Sequence, residues 1–331
     1  MLIYLGDIMT ETIRLLKGVI LVSIFFISGH SYSQGYPAKQ LTFIVPFVVG
    51  SATDQQARVI AQGITEATGI PVIIDNKVGG NGFIAAQAVA LSPPDGYSIL
   101  ISTNTTHAAN QHLFKKLPYD PVKDFEPVTA INKGSQVLIV NNNFPANNLK
   151  ELIAVAKKNP GKYAFGSGVT SSRLAVELLQ QMAGIKLLHV PYKSNPLAIT
   201  DLISGNIDMM IVDAPNALAQ INAKNVRGLA VSGADRNPLA PELPTIAESG
   251  VPGCEVYYWT AAWVPAKTPK AIIDKLNQLL INSTKAEPAL KFYRTTGTER
   301  YTTTPDGLAK FQALESIKWG SIIKEANIEK E

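Results

Sequence analysis

The 331-residue sequence contains one cysteine, Cys254, and only 17% charged side chains. A single cysteine excludes an internal disulfide and any metal site built from several cysteines. Lysine and arginine are scattered and never form a run of five, so the formal net charge of +4 provides no basic stripe for a nucleic-acid backbone. With 46% hydrophobic residues, the chain has the composition of a globular rather than a disordered protein. We expect no nucleic-acid partner, no metal and no cofactor.

Long apolar runs are also missing from the sequence. Residues 18–27, GVILVSIFFI, form an apolar core of only ten residues that follows Arg14 and Lys17 and precedes small polar residues. A membrane span needs about 20 apolar residues, whereas this arrangement is typical of a secretory signal peptide. We therefore expect residues 1–33 to be a signal peptide that is removed on export across the inner membrane. The mature protein is then expected in the periplasm, where disulfides are common but not required.

Short β-rich runs alternate with amphipathic helical runs in the rest of the chain, which is the order of α/β layers. Thr53 followed three residues later by Gln56 suggests a capping box at the start of the first helix. Strands are predicted over residues 127–132 and 136–141. Asn195, which stands before a proline, is predicted to be the N-cap of a later helix. The pattern predicts two successive α/β units.

Three motifs that could carry chemistry are discounted. Residues 80–85 match the dinucleotide fingerprint G-x-G-x-x-A, but no acidic residue ends a strand about 20 positions later, so a tight turn into a helix is the better interpretation. His107 and His112 are five residues apart, which is not a metal-binding spacing on a helix. The nucleophile motif G-x-S-x-G does not occur.

A repeated physical feature remains: three predicted strand-to-helix junctions are rich in small and hydroxyl residues. They cover residues 49–53, 167–172 and 192–195. The first N–H groups of a helix have no acceptor within the helix, and the partial positive charge there favours an anion. Each junction taken singly could be an ordinary helix cap. Two such junctions facing each other across a cleft would form a carboxylate site with little need for fixed cations.

Several segments in fixed order point to a known family. The sequence contains YPAKQLTFIVPFVVGSATDQQAR, IIDNKVGGNGFIAA, PPDGYSIL, LPYDPVKDFEPV, HVPYKSNPLAITDLISGNIDMM and PTIAESGVPG. It thereby resembles the substrate-binding proteins of tripartite tricarboxylate transporters, the Bug family, from about Tyr36 to its end. The resemblance implies a type II periplasmic binding protein with an α/β fold, in which two lobes joined by two crossover strands close over a small organic acid. Such a protein passes its cargo to membrane permease subunits, is not an enzyme, and is expected to be a monomer.

The resemblance implies a discontinuous division of the chain, with the ligand cleft between the lobes. The strand-like run at 254–264 can serve as the return crossover after the two α/β units. We expect lobe one to comprise residues 36–130 and 256–331, and lobe two residues 131–255.

The family's first ligand loop, P-F-x-P-G-G-x-x-D, falls on residues 46–54, with Val49 in place of a proline and Ser51 in place of the second glycine. The second loop is shortened, and Arg173 stands near the position of the family's histidine. Arg173 could offer its guanidinium to a carboxylate, or point to water and pair with Glu177. Asp213 matches an acidic residue that faces the cleft, or is simply a helix N-cap. The expected ligand residues are Phe47, Val49, Gly50, Ser51, Thr53, Asp54, Thr103, Thr106, Ser167, Thr170, Ser171, Ser172, Arg173 and Asp213.

Two other classes of function stay open at this point. A periplasmic sensor module for a signalling receptor would use the same lobe closure, so the sequence does not separate it from a transport receptor. An α/β hydrolase-like enzyme could use a cleft rich in serine and threonine. Against the enzyme stands the lack of an activating His or Lys at a recognisable spacing.

Overall fold

A computed structural model of the chain describes residues 35–325 and 327–330. The signal peptide predicted for residues 1–33 lies outside the described residues. Among the described helices, none combines the length and the apolar character that crossing a membrane requires. Residues from Lys39 onward form one compact unit.

The first part of this unit has parallel β/α order, as the alternating sequence pattern predicts. Its elements are β1 (Leu41–Val45), α1 (Ala52–Thr68), β2 (Val72–Asn76), α2 (Phe83–Ala90), β3 (Ser98–Thr103), a π-helical segment (Thr105–Ala109) and α3 (Asn110–Leu113). Strand β1 lies between β2 and β3 and pairs with both in parallel. The carboxyl ends of β1 and β3 therefore point to the same edge of the sheet.

One long strand, β4 (Phe125–Val140), connects the first part of the chain to the second. The prediction of two separate strands here was wrong. Residues around Gly134 look like a break in the sequence, but Gly134 pairs with Tyr258 in a continuous antiparallel ladder. A Cβ at Gly134 would lie 2.9 Å from the Tyr258 ring, so the missing side chain makes room for the aromatic one.

The second part of the chain forms a second set of β/α elements. They are α4 (Leu149–Lys158), β5 (Ala164–Ser167), α5 (Thr170–Ala183), β6 (Leu188–Pro191), α6 (Asn195–Ser204), β7 (Met209–Asp213), α7 (Ala214–Asn222) and β8 (Arg227–Val231). Residues 136–140 of β4 pair with β7, residues 137–140 also pair with β8, and β5 lies between β7 and β6.

The chain then returns to the first set of strands. The returning elements are β9 (Tyr257–Pro265), α8 (Lys270–Ser283), α9 (Glu287–Thr296), β10 (Glu299–Arg300) and α10 (Pro305–Glu325). Strand β9 pairs with β3 and with residues 125–135 of β4, and the strand order is β2-β1-β3-β9-β4-β7-β5-β6. Helices α8 and α10 pack on β4, and α9 packs on α1. We use the name first lobe for strands β1–β3, β9 and β10, residues 125–135 of β4 and the helices packed on them. The second lobe comprises residues 136–140 of β4, strands β5–β8 and the helices packed on those strands.

Three helix starts differ from the sequence prediction. The N-cap of α1 is Ser51 rather than Thr53: Ser51 is extended, and its Oγ accepts a hydrogen bond from the Asp54 N–H at 3.2 Å. The N-cap of α6 is Ser194 rather than Asn195. The sequence pattern predicts that helix α5 begins at Arg173, but it begins three residues earlier, at Thr170. In each case the residue before the helix has an extended backbone.

Candidate functional site

Four helices of the two lobes begin at one cavity. The N-terminal residues of α1 come from the first lobe, and those of α5, α6 and α7 come from the second. The cavity measures about 360 Å³, part of it open to solvent. It is lined by Phe47, Ser51, Ala52, Thr53, Thr103, Asn104, Val169, Ser171, Ser194, Asn195, Asp213 and Tyr258.

The charge of this lining is unusual for an anion site. Among the described residues that line the cavity there is no Lys, Arg or His, and Asp213 is the single carboxylate. Positive potential at the cavity must therefore come from the partial charges at the helix N-termini, since each first turn carries N–H groups without intrahelical acceptors.

The first turn of helix α5 has no side-chain cap. Its N-cap position is held by Val169, which has an extended backbone and no side-chain oxygen with which to cap the helix. The N–H groups of Thr170, Ser171 and Ser172 have no intrahelical acceptor, because the first such bond runs from Arg173 to Val169. A buried helix end that lacks a cap is suited to receive acceptor atoms from a ligand.

Helix α6 adds an unused hydroxyl at the same place. Ser194 is fully buried and lines the cavity, and its Oγ has no hydrogen-bond partner among the described residues. The junctions before α5 and α6 are held together by Gly168, whose N–H donates to Asn195 Oδ1 at 3.0 Å. A Cβ at Gly168 would lie 1.8 Å from the Ser194 carbonyl carbon, so only glycine allows this approach.

Asp213 lines the cavity at the start of α7, the fourth helix that begins there. Its carboxylate accepts hydrogen bonds from Gln136 Nε2, at 3.2 Å, and from Asn195. Burial raises the pKa of Asp213 to about 6, although these two hydrogen bonds favour the charged form. Asp213 stands at the N-cap position, but its side chain makes no capping hydrogen bond. The carboxyl group is therefore available to the cavity.

The first predicted loop is shaped by Asp54, which does not itself line the cavity. Its carboxylate accepts hydrogen bonds from Arg58 at 2.9 and 3.0 Å, from Asn76 at 3.0 Å and from the Gly50 N–H at 2.9 Å. Burial alone would raise the pKa of Asp54, but these bonds outweigh it and hold the pKa below its ordinary value. Gly50 has φ +83°, which favours glycine. Asp54 thus fixes the loop that presents Ser51.

The structure brings together six of the predicted ligand residues and leaves eight outside the lining. Those at the cavity are Phe47, Ser51, Thr53, Thr103, Ser171 and Asp213. Val49 and Gly50 are exposed and do not line the cavity. The remaining six are buried or half-buried next to the cavity without lining it: Asp54, Thr106, Ser167, Thr170, Ser172 and Arg173.

Arg173 pairs with Glu177, with Arg173 Nε 3.7 Å from Glu177 Oε1. This pairing is one of the two alternatives that the sequence left open for Arg173, but the side chains do not point to water, because each is only 18% exposed. Burial raises the pKa of Glu177, an effect that the neighbouring Arg173 opposes. Arg173 therefore stabilises a buried carboxylate of its own helix.

Sequence reasoning missed several residues that matter here. Asn104 and Tyr258 line the cavity, and Asn104 Oδ1 has no partner among the described residues. Tyr258 lies on β9, more than 150 positions from Asn104, so no local spacing signals it. His189 was also missed: its Nε2 lies 2.7 Å from Ser167 Oγ. The pair comes from neighbouring parallel strands, which a linear motif does not reveal.

Hydrogen bonds join the two lobes at the rim of the cavity. Asn216 Nδ2, on α7, donates to the Gly50 carbonyl at 3.2 Å. Thr170 Oγ1, at the start of α5, donates to Asn110 Oδ1 at 3.0 Å. The uncapped end of α5 is thus tied directly to the first lobe.

Comparison with known proteins agrees with this geometry. The family model described as tripartite tricarboxylate transporter family receptor matches residues 56–328. A UPF0065 protein from the tcbD-tcbE intergenic region of Pseudomonas sp. (strain P51) is 34% identical over 315 residues, covering 94% of each chain.

Three solved structures share the fold. Rpa4515 of R. palustris with adipate has a TM-score of 0.87 and 33% identity, covering 89% of this chain and 100% of that one. The periplasmic binding protein BugD has a TM-score of 0.85 and 32% identity, over 89% and 100%. MatC (Rpa3494) from Rhodopseudomonas palustris with bound malate has a TM-score of 0.82 and 28% identity, over 87% and 100%. The predicted two-lobe α/β fold is confirmed, and the chain belongs to the receptor family of tripartite tricarboxylate transporters, which are solute-binding proteins.

Proposed function

We propose that this chain is a periplasmic receptor that captures a small organic acid in the cavity between its lobes and delivers it to the membrane permease subunits of its transporter. One observation carries the proposal: the uncapped first turn of α5 lies beside the buried, unpartnered Ser194 hydroxyl at a cavity where four helices begin. N–H and O–H donors converge there, and a carboxylate is the small group that accepts several of them at once.

The energetics are sufficient without a fixed cation. A hydrogen bond to a charged group contributes about 1.5–3 kcal/mol. Micromolar affinity corresponds to about 8 kcal/mol, so a few such bonds, with closure over the apolar side chain of Phe47, are enough. The donors in this proposal are the N–H groups at the start of α1 and α5 and the Ser194 hydroxyl.

Asp213 determines which chemical group the second end of the ligand can carry. A charged Asp213 would repel a second carboxylate, whereas a protonated Asp213 donates a hydrogen bond to it. Because burial already raises the pKa of Asp213 to about 6, an approaching anion favours the protonated form further. The bound adipate and malate of the two similar receptors are dicarboxylates, which supports a dicarboxylate as the cargo. A hydroxyl or ammonium group at this end would instead keep Asp213 charged.

We propose that the protein performs no chemistry on its cargo. Among the described residues, two serine–histidine pairs resemble an activated nucleophile: Ser167 with His189 and Ser316 with His112. Neither pair is part of the cavity lining. A serine that cannot reach the bound molecule cannot attack it.

The test is a thermal-shift screen of the purified mature chain against mono-, di- and tricarboxylates and amino acids, followed by calorimetric titration of each hit. A ligand at 100 times its Kd stabilises the folded state by about 2.7 kcal/mol. We expect dicarboxylates to produce the largest shifts. Ser194→Ala should weaken the best of them about tenfold. Ser204→Ala is the matched control, since Ser204 ends the same helix and its Oγ bonds the Thr200 carbonyl.

Two results would contradict the proposal. One is the absence of a shift with every acid, and the other is an equal loss of affinity in Ser194→Ala and Ser204→Ala. Turnover of an ester or amide substrate by the purified chain would contradict the non-catalytic role alone.

A further inference from the structure

A second cavity lies in the first lobe, away from the ends of the helices that form the cargo site. It measures about 770 Å³, part of it open to solvent, and its walls come from α10, the π-helical segment and strands β4 and β9. Most of the lining is apolar. The lining residues are His107, Gln111, Pro121, Val122, Phe125, Pro127, Trp263, Ala309, Gln312, Ala313, Ser316 and Ile317.

His107 is the polar group at the base of this cavity. Its ring stacks on Trp263 with centroids 3.8 Å apart. The His107 and Phe125 rings are arranged edge to face, with centroids 4.8 Å apart. The side chain is fully buried, and its Nε2 has no hydrogen-bond partner among the described residues. Burial lowers the pKa of His107 to about 3, so the ring is neutral at physiological pH. A buried polar atom without a partner is rare in folded proteins.

The hydrogen bonds of Thr106 determine which ring nitrogen of His107 carries the proton. Thr106 Oγ1 lies 3.3 Å from the Thr103 carbonyl, 2.7 Å from Ser102 Oγ and 2.8 Å from His107 Nδ1. Because a carbonyl only accepts, the one arrangement that makes all three contacts hydrogen bonds gives the single Thr106 proton to Thr103. The two remaining lone pairs of Thr106 accept from Ser102 Oγ–H and from His107 Nδ1–H. The Nε2 atom of His107 is then a bare acceptor.

The other polar side chains of the lining are already bonded within the protein. Gln312 accepts from Trp263 Nε1 at 3.0 Å and donates to a backbone carbonyl at 2.9 Å. Gln111 Nε2 donates to Ser316 Oγ. The lining contains no charged side chain among the described residues, and the exposed Val122 and Ile317 stand at its rim. Among the buried polar side-chain atoms of the described lining residues, only His107 Nε2 lacks a hydrogen-bond partner.

We propose that this cavity is a second small-molecule site, distinct from the cargo site, which takes a neutral ligand with an apolar ring or chain and one hydroxyl group that donates to His107 Nε2. The aromatic rings of Trp263 and Phe125 border the apolar body. Phenol is the smallest probe with both properties, and toluene matches its size without the donor.

The experiment measures phenol and toluene binding by NMR titration of the mature chain saturated with a dicarboxylate. We expect phenol to bind at least tenfold more tightly than toluene, because toluene leaves Nε2 without a partner. His107→Phe should remove this preference by weakening phenol and not toluene. Ala313→Trp, at an exposed position of the lining, should block both probes while leaving dicarboxylate affinity unchanged.

A second measurement does not depend on any variant. The chain has four histidines, so side-chain ¹⁵N spectra are sparse enough to identify His107. We expect its Nδ1–H tautomer in the free protein and a shift of the Nε2 resonance when phenol is added. Equal affinities for phenol and toluene, an Nε2–H tautomer, or a phenol preference that survives His107→Phe would each overturn the proposal.

Discussion

At the scale of single residues, the proposed cargo site depends on one titratable group. Asp213 is the only carboxylate among the described residues that line the cavity, and the other titratable lining residue, Tyr258, has its pKa raised by burial and by the nearby Asp213 charge. Since burial raises the pKa of Asp213 to about 6, its protonation changes just below neutral pH.

We predict that dicarboxylate affinity falls as pH rises. Above about pH 6 a proton must be taken up by Asp213 before the second carboxylate is accommodated, so the affinity decreases by up to about tenfold per pH unit. Calorimetric titrations from pH 5 to 8 measure this slope. Asp213→Asn, which keeps the size but cannot ionise, should show a flat profile over the same range. A wild-type affinity that is constant, or that increases with pH, would contradict the role given to Asp213.

The residues of the site could be predicted from sequence only in part. Ser51 and Ser171 could be predicted because each lies in a junction rich in hydroxyl residues. Val49 and Gly50 belong to the same loop, but neither lines the cavity: the Gly50 N–H donates to Asp54 and its carbonyl accepts from Asn216. Tyr258 reaches the cavity through the pairing of β9 with β4, and such distant pairing leaves no mark in the local sequence.

At the scale of secondary-structure elements, the uncapped start of α5 is the central feature. Polar residues normally cap helices because they bond the first free N–H groups. Helix α1 follows this rule through Ser51, whereas α5 has Val169 at the same position. We propose that the N–H groups in the first turn of α5 donate hydrogen bonds to the carboxylate of the cargo.

We predict that Val169→Ser stabilises the ligand-free protein and weakens cargo binding. A serine at the N-cap should increase the free energy of unfolding by about 1 kcal/mol, because its Oγ accepts from the first turn of α5. The same oxygen then competes with the ligand carboxylate, and we expect affinity to fall about tenfold. Denaturant unfolding and calorimetry measure the two effects. Val169→Ala is the control that removes the valine without adding a cap. Tighter binding by the serine variant would argue against the proposal.

The elements themselves were predictable where periodicity and caps coincide, and less so elsewhere. Helix α4 begins after Asn148, whose side chain accepts from the Glu151 N–H, as the sequence indicates. The continuous strand β4 was not predicted, because its Gly134 acts as a packing partner of Tyr258 and not as a break. Whether a glycine interrupts a strand depends on what lies opposite it, which is information from the whole fold.

At the scale of the whole molecule, two hydrogen bonds between the lobes lie next to the cargo site. Thr170 Oγ1 donates to Asn110 Oδ1, and Asn216 Nδ2 donates to the Gly50 carbonyl. Both connect a helix that starts at the cavity to the opposite lobe. Binding and closure should therefore be coupled, because the carboxylate and the interlobe bonds use the same helix ends. The predicted lobe boundaries, 36–130 with 256–331 and 131–255, remain a prediction.

We predict that Thr170→Val weakens cargo affinity without removing it. The substitution keeps the shape of the side chain and deletes one hydroxyl, and a neutral hydrogen bond contributes about 0.5–1.5 kcal/mol. We therefore expect a roughly twofold to tenfold increase in Kd. Small-angle scattering of the liganded variant should show a larger radius of gyration than the liganded wild type at equal saturation. An unchanged Kd and an unchanged radius would show that the Thr170 bond has no part in closure.

The most direct test of the central claim removes one backbone N–H from the start of α5. Proline is tolerated at the first position of a helix, and the extended conformation of Val169 is compatible with a following proline. Thr170→Pro thus deletes the Thr170 N–H, and Thr170→Val is its matched control, since it loses the same hydroxyl but keeps the N–H. Calorimetric titration of one dicarboxylate against both variants gives the result. If helix N–H groups hold the carboxylate, the proline variant should bind at least tenfold more weakly than the valine variant; equal affinities of the two folded variants would contradict the claim.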